Sequence, residues 1–395
     1  MILVGIDIGK NKHSYCIYKN DSGELLKDPE FFNNNSDGFK TLIESIKPYD
    51  KKDVLIGMED TGHYHFALLK YLLDKGYTVA LINPITTDLQ RRLDGSISKN
   101  DKLDTITICN VLSSNAKNKP YRISKVNSFD MYEQRQLTRH HHNLKEELNV
   151  YTNRLQKCID IVFPEFNSLF KSKYGTVYMN ILENLGSAHT IAHTDIRTIK
   201  KCFDIKGKGK RISLTAEKLK EAAKKSIGIH SISDEIQIKH LIRQIQLIEE
   251  QIEEIDKKIE EHSKQTNSPI LSIPGISHFS GTSILSELGD INNFSNFKQL
   301  IKFAGVAPIH YESSQFNVAH TRISKKGSKY LRKTLYQIIL PVILHNPTFK
   351  KYYDLKISQG KSHRCAQGHC IRKLLRLIFH LLKTNTRLFD EALLR

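Results

Sequence analysis

The chain has 395 residues, and its 60 Lys and Arg against 42 Asp and Glu give a formal net charge of +18. This length is sufficient for two or three domains with their own cores. Six cysteines are scattered without a CxxC pair, and no stretch of about 18 apolar residues occurs. We therefore expect a cytoplasmic protein with free thiols that is neither inserted in a membrane nor secreted.

The positive charge is concentrated at the C-terminal end. From residue 321 onward the chain has 17 Lys and Arg against three acidic residues, a surplus of 14. Lysine and arginine that neutralise phosphates gain free energy from counterion release, so this region is predicted to bind a polyanion. A generally basic, solvated surface is the alternative. Six cations in one short stretch favour nucleic-acid binding: Arg322, Lys325, Lys326, Lys329, Arg332 and Lys333.

The first 120 residues alternate strand-like and helix-like segments. β-Branched and apolar runs predict strands, and segments with apolar residues at helical spacing predict helices. The strands are LVGIDIG, KHSYCIYKN, DVLIGME and YTVALINP, and the helices are FKTLIESI and YHFALLKYLLDKG. Residues 1–125 are therefore predicted to form an α/β domain.

Residues 126–265 are predicted to form coiled-coil helices with an irregular insert at about 165–230. Steps of three and four residues between apolar positions define a heptad seam: Ile238, Leu241, Ile245, Ile248, Ile252, Ile255 and Ile259. An earlier stretch fits the same repeat from Leu137 to Val162, with His141 at a seam position. The two stretches can pair within one chain or between chains.

Residues 266–395 are predicted to form a helical C-terminal domain with a basic helical tail. ILSIPGISHFSGTSILSELGDI resembles a helix-hairpin-helix, which directs backbone N–H groups and a helix N-terminus at a phosphate. The fold class predicted for the whole chain is therefore α/β plus all-α.

Asp7 lies within the apolar run of the first strand, where a carboxylate without a partner is costly. Three interpretations compete: a metal site, the phosphate loop of an actin-like ATPase, or an Asp that caps the next turn. The last of these is the default until other acids are found to converge on the same place.

Three further acids extend the metal interpretation. Glu59, followed by Asp60, ends a later strand, and Asp101 and Asp104 share one face at the start of a helix. Four carboxylates held together repel one another unless divalent cations lie among them, and oxygen-rich sites suit Mg²⁺ or Mn²⁺. A solvated acidic surface is the alternative reading of the same spacing.

Two sets of motifs resemble one protein family. GIDIGKNKH, MEDTG, VALINP and KNDKLDT resemble the N-terminal domain of the DEDD insertion-sequence transposases, which are related to Piv-type invertases. SIPGIS, FAGVAP, YES and RISKKGSKYLR resemble the C-terminal transposase domain of the same family, in the same order. The resemblance implies a ribonuclease-H-like fold similar to the resolvase RuvC for residues 1–125.

The resemblance also implies the roles of individual residues. Asp7, Glu59, Asp101 and Asp104 fall on the metal-binding acids of the family, and Ser313 on its catalytic serine, which attacks a DNA phosphate. Two assignments stay open, because Asp60 adjoins Glu59 and Ser314 adjoins Ser313. The implied cofactor is Mg²⁺ or Mn²⁺.

The leading hypothesis is a DNA recombinase that excises and inserts a mobile element. The resemblance adds a noncoding bridge RNA that pairs with target and donor DNA, and handling two duplexes predicts a homodimer or homotetramer. A junction-resolving endonuclease that uses only the acids is one alternative, and a non-catalytic nucleic-acid-binding protein is another. An actin-like ATPase is disfavoured because no second glycine-rich phosphate loop follows a strand.

Overall fold

The computed structural model describes residues 1–60, 62–95, 100–116, 123–126, 129–204, 213–309, 312–313, 316–317 and 322–386. For residues 115–116, 123–125, 312–313 and 316–317 it describes the backbone only. The chain divides into two compact units. One unit comprises Met1–Thr138 together with Ile259–Arg395, and the other comprises Arg139–Lys258.

The N-terminal part of the first unit contains a six-stranded mixed sheet in the order β3-β2-β1-β4-β5-β6. The parallel pairs are β1 with β4 and β4 with β5, and the remaining neighbours are antiparallel. This mixed α/β arrangement is compatible with a ribonuclease-H-like domain. Its strands are β1 (Ile2–Asp7), β2 (Lys12–Lys19), β3 (Glu24–Asn33), β4 (Val54–Glu59), β5 (Thr78–Ile82) and β6 (Ile123–Val126).

Helices cover both faces of this sheet, because side chains along each strand alternate between the two faces. On β1, Val4 and Ile6 join a buried cluster with residues of α1 and α2, whereas Leu3 joins a second cluster with residues of α4. The four helices of this part are α1 (Ser36–Ile46), α2 (Phe66–Asp74), α3 (Pro84–Leu93) and α4 (Asp101–Ala116).

Two paired glycines let α4 lie unusually close to the sheet. Gly5 of β1 pairs with Gly57 of β4. A Cβ at Gly5 would lie 2.2 Å from the carbonyl oxygen of Thr105, and one at Gly57 would lie 2.7 Å from Cδ1 of Leu112. Such distances are far inside van der Waals contact, so larger residues here would push the helix away. The glycines therefore set the height of α4 above the strands.

The sequence-predicted strands and helices of this part are confirmed. Three elements were missed, namely the four-residue strand β6, the strand β3 and the helix α3. Strand β3 contains Pro29 and lies at the edge of the sheet, where a missing N–H is tolerated. Helix α3 is short and polar, although Asn83 caps it and Pro84 occupies its first turn. Neither element has the strong apolar period on which the sequence prediction relied.

The second unit is helical. It contains parts of two long helices, α5 (Phe129–Val162) and α10 (Ile232–Thr266), and all seven seam residues of α10 are buried. The segment expected to be irregular instead contains four helices of six to ten residues, too short to show a clear period. They are α6 (Thr176–Leu185), α7 (Ala188–His193), α8 (Ile196–Phe203) and α9 (Ala216–Lys224).

The C-terminal part of the first unit is mostly helical and has its own buried cluster. The first helix expected of the helix-hairpin-helix is a single 3-10 turn, Pro269–Ser272, whereas the second forms as α11. A two-residue pair, β7 (Glu312–Ser313) and β8 (Phe316–Asn317), precedes the last helices. The helices are α11 (His278–Leu288), α12 (Phe297–Phe303), α13 (Lys329–His345), α14 (Pro347–Ser358) and α15 (His363–Thr384).

A helix that spans a membrane must be both long and apolar. None of the described helices is long enough and apolar enough to cross a bilayer.

Candidate active site

The four predicted acids come from three elements that meet at one edge of the sheet. Asp7 ends β1 and Glu59 ends the adjacent parallel strand β4, since Ile6 pairs with Met58 one residue earlier. Carboxyl ends of parallel strands are where α/β sheets bind ligands. Strand alternation directs both acids to the face covered by α4, whose first turn contains Asp101 and Asp104.

A hydrogen bond fixes the start of α4 against the sheet. Ser14 of β2, which pairs with Asp7, donates its hydroxyl to the carbonyl oxygen of Asp101 at 2.9 Å. Together with the close approach at Gly5, this bond determines where the first turn of α4 lies. The acids of α4 are therefore positioned by backbone contacts, which is more rigid than positioning by long side chains.

The negative charges of the other three predicted acids act on Asp7. The pKa of Asp7 is raised to about 6, first by burial and then by the negative charges of Asp104, Asp101 and Glu59. Each of the other three predicted acids thus acts on Asp7. Burial and these negative charges therefore both disfavour the ionised carboxylate of Asp7.

Glu59 and Asp60 have different surroundings. Glu59 accepts a hydrogen bond from the hydroxyl of Thr87, and it is the one of the two acids that raises the pKa of Asp7. The carboxylate of Asp60 lies 3.7 Å from Nε2 of His65, a fully buried residue whose Nε2 is also 3.2 Å from the hydroxyl of Tyr132. This geometry favours Glu59 over Asp60 as the member of the acid site.

Sequence reasoning missed Arg91, which is the counter-ion of Asp104. Its Nε and Nη2 donate to one carboxylate oxygen of Asp104 at 3.1 and 2.7 Å, and Asp104 is only 5% exposed. Thr87, the partner of Glu59, lies one turn earlier on α3, so both residues face the acids. Their i, i+4 spacing after Pro84 was the available signal, but it required recognising α3 as a helix.

The donor set has the chemistry of a divalent-metal site. In the described part of the chain, no three His, Cys, Asp or Glu side chains form a group that could hold a metal ion as they stand. Arg91 neutralises Asp104, but the pKa of Asp7 remains raised. Carboxylate oxygens are the ligands that Mg²⁺ and Mn²⁺ prefer, and a cation would relieve the repulsion at Asp7. The residues therefore fit such an ion in the type of their ligand atoms.

The predicted nucleophile is placed only by its backbone. Ser313 ends β7 and pairs with Phe316 of β8. Its side chain is not described, and Ser314 lies outside the described residues. The choice between the two serines consequently stays open.

The predicted nucleic-acid cluster lies in the segment before α13 and in the first turns of that helix. Arg322, Lys325, Lys326 and Lys329 are at least partly exposed. Arg332 has a structural role as well, since its Nη1 donates to the carbonyl oxygen of Lys325 at 3.2 Å. The first turn of α13 contains no acidic residue. Cations at a helix N-terminus oppose the helix dipole, so an anion bound there would be favoured.

Comparisons with known proteins identify the families that this chain resembles. Residues 4–164 match the IS110-type DEDD family, described as transposase, and residues 267–354 match the family described as transposase IS116/IS110/IS902. The chain is 21% identical to the pilin gene-inverting protein of Moraxella bovis, over 99% of this chain and 98% of that protein.

Two shorter matches are to transposases. The chain is 28% identical to the mini-circle putative transposase for IS117 of Streptomyces coelicolor, over 31% of this chain and 29% of that protein. It is 34% identical to the transposase for insertion sequence element IS1111A of Coxiella burnetii, over 22% of this chain and 24% of that protein.

Proposed function

Since the chain belongs to the IS110-type family of DEDD transposases, we propose that it excises and inserts a mobile element through its acid site and Ser313. Members of the family act in DNA cleavage and strand transfer, so DNA is the substrate. The observation that carries the proposal is that the ends of β1 and β4 and the first turn of α4 bring the four acids to one edge of the sheet. Burial and the negative charges of the other three acids together raise the pKa of Asp7.

A divalent cation is the proposed cofactor. DEDD transposases generally depend on divalent metal. Asp7, Glu59, Asp101 and Asp104 would hold Mg²⁺ or Mn²⁺, which supplies Lewis-acid polarisation of phosphate oxygens when bound.

The remaining contacts position these acids. Thr87 orients the carboxylate of Glu59, and Arg91 holds Asp104. Gly5 and Gly57 let α4 bring Asp101 and Asp104 to the strand ends.

Ser313 is proposed as the nucleophile. Its hydroxyl oxygen attacks a DNA phosphorus, so that an Oγ–P bond forms and the P–O bond to one sugar breaks. The hydroxyl proton passes to a base, and the departing sugar oxygen takes up a proton. One strand end is then held covalently by the protein until a second DNA hydroxyl displaces the serine.

A noncoding bridge RNA is proposed as the source of sequence specificity. When base pairing reads the sequence, the protein needs mainly contacts to the backbone and shape of the nucleic acid. The cations from Arg322 to Lys329 suit such contacts. Because two duplexes must be handled, the active form is proposed to be a homodimer or homotetramer.

The test is strand transfer between plasmids that bear the ends of the element and its flanking noncoding DNA. Asp7→Ala and Ser313→Ala are compared with wild type in Mg²⁺, and a denaturing gel detects protein joined to DNA. Wild type is expected to recombine and to form the adduct, whereas Ser313→Ala does neither. Asp37→Ala, an exposed acid of α1, is the matched control and is expected to behave as wild type.

Other outcomes would change the mechanism. If Ser313→Ala cleaves as well as wild type and no adduct forms in any sample, the protein is a metal-dependent nuclease. If Ser314→Ala alone abolishes the adduct, the nucleophile is one residue later. Omitting the noncoding RNA is expected to abolish recombination, and full activity without it would refute the guided reaction.

A further inference from the structure

A cationic surface outside the predicted nucleic-acid cluster lies on the last two described helices. Residues 347–386 contain nine Lys and Arg but a single acidic residue, Asp354, which lies 3.9 Å from Nζ of Lys350. Four of these cations surround His369, Tyr352 or both. We call this set the α14–α15 face, and it consists of Lys356, Lys361, Arg372 and Lys373 together with His369 and Tyr352.

Tyr352 holds two ammonium groups of the face. Nζ of Lys373 lies 4.5 Å from the centroid of its ring, and Nζ of Lys356 lies 5.3 Å from it. The negative face of an aromatic ring attracts cations, which restrains two flexible lysines that would otherwise repel each other. Since lysines already cover the ring, it is not free to stack on a nucleic-acid base.

The imidazole of His369 lies among the cations of the face, which lower its pKa. Its Nδ1 lies 2.9 Å from Nη2 of Arg372. Arginine can only donate, so Nδ1 accepts and the imidazole is neutral. The pKa of His369 is lowered to about 4, first by burial and then by the charges of Arg372, Lys356 and Lys361. Cations from α14, from α15 and from the connection between them therefore act at one point.

The face has no internal counter-ion among the described residues. None of its four cations forms an ion pair with a described carboxylate, and Nζ of Lys356 instead donates to the side-chain oxygen of Gln359 at 2.9 Å. Like charges held together without acids cost free energy, and a polyanion would offset that cost.

We propose that the α14–α15 face binds the phosphate backbone of duplex DNA. The inference deepens the proposed function and rests on it, since the family acts on DNA. Ammonium and guanidinium groups recognise phosphates without reading sequence, and the covered ring of Tyr352 disfavours recognition of unstacked bases. This face would contact DNA in addition to the Arg322–Lys333 cluster.

The salt dependence of DNA binding tests the proposal. Binding of full-length protein to a fluorescent duplex is measured by anisotropy at several salt concentrations, for wild type and for Lys356→Gln/Lys361→Gln/Lys373→Gln. The magnitude of the negative slope of log affinity against log salt is expected to fall by roughly 2.7, about 0.9 for each phosphate that the variant no longer neutralises. The matched control replaces three exposed lysines that pair with glutamates, Lys225, Lys257 and Lys264, and is expected to keep the wild-type slope.

A pH readout separates phosphate binding from a structural role. A phosphate beside His369 stabilises its protonated form, so DNA affinity is expected to rise as the pH falls from 7 to 5. The other charged groups that act on His369 are Arg372, Lys356 and Lys361. His369→Gln is expected to abolish this part of the pH dependence and to leave the salt slope nearly unchanged.

Two results would overturn the inference. One is a triple variant that is folded by circular dichroism and keeps the wild-type salt slope on DNA. The other is a slope that falls on an RNA duplex of the same sequence but not on DNA. The proposed function fails separately: if wild type does not recombine plasmids but the triple variant shows the reduced slope, the DNA-binding face stands and the recombinase mechanism does not.

Discussion

The acid site and the α14–α15 face concentrate opposite charges and are built in different ways. The acids are positioned by backbone, through strand ends, the glycine contact with α4 and the bond from Ser14 to Asp101. They also have an internal counter-ion, Arg91. The α14–α15 face consists of side chains on two helices and on the connection between them, and its cations have no carboxylate partner among the described residues. A catalytic centre requires fixed geometry, whereas a backbone-binding surface requires mainly charge.

The largest expected effect comes from disturbing the close approach of α4. Gly5→Ala places a methyl group 2.2 Å from the carbonyl oxygen of Thr105, so α4 must move and take Asp101 and Asp104 with it. We expect a loss of about 3 kcal/mol in the free energy of unfolding and at least a roughly 100-fold loss of strand transfer. Urea denaturation and the plasmid assay measure the two effects.

Gly76→Ala is a suitable control for this substitution. Gly76 has a positive φ of 79°, but a Cβ there meets nothing within 4 Å. It is therefore expected to cost about 1 kcal/mol of stability through the backbone alone and to leave strand transfer unchanged. Equal losses of activity in the two variants would show that the contact between α4 and the sheet does not position the acids.

The next largest effect is expected from removing the charge of Arg91, the counter-ion of Asp104. Arg91→Gln leaves Asp104 buried without its charge partner, which is expected to cost about 3 kcal/mol without divalent metal. Because a cation at the acids would replace the lost charge, Mg²⁺ is expected to raise the melting temperature of this variant more than that of wild type. Arg92→Gln, which removes an exposed pair with Asp88, is the control. An equal response of both variants to Mg²⁺ would argue against a metal at these carboxylates.

Asp7 predicts a pH dependence of stability. The pKa of Asp7 is about 6 in the folded protein and 3.8 ordinarily, so the native state takes up this proton first as the pH falls. The contribution of Asp7 to stability therefore improves as the pH falls through 6, and the improvement is complete below the unfolded pKa. Asp7→Asn is expected to stabilise the protein by about 1 kcal/mol at pH 8, after allowance for partial solvent exposure, and by less at pH 5.

The matched control for this variant is Asp37→Asn, an exposed carboxylate of α1. Thermal unfolding at both pH values is the measurement. Asp7→Asn is also expected to abolish strand transfer while stabilising the fold, as acids held together for catalysis should. A destabilised variant at pH 8 would contradict the repulsion inferred among the four acids.

The smallest expected effect is a change in the pKa of His369, which tests whether Lys361 belongs to the α14–α15 face. Lys361→Gln removes one of the charges that lower the pKa of His369, so that pKa is expected to rise above about 4. NMR titration of the His369 ring measures it directly. Lys351→Gln, an exposed lysine of α14 that is not among the groups acting on His369, should leave the pKa unchanged. A pKa that does not respond to Lys361 would remove this residue from the face.

The sequence by itself determined the strands and helices that carry a strong apolar period, and with them the α/β class of the N-terminal part. It also selected Asp7, Glu59, Asp101 and Asp104, because a carboxylate in a buried strand requires an explanation and the motifs supplied one. In the structure, the negative charges of the other three acids contribute to the raised pKa of Asp7. The role of Ser313 stays a prediction.

Only the tertiary structure decided which residues complete each site. Arg91 is 13 positions from Asp104 in sequence, and its pairing depends on how α3 lies against α4. The distinction between Glu59 and Asp60 depends on which face of the sheet α4 covers. His369 is held neutral by cations 3 to 13 positions away on two helices and their connection. Such contacts depend on how helices and strands pack against one another. The sequence of one element shows only the spacing of its apolar residues and its charge, so it could not predict them.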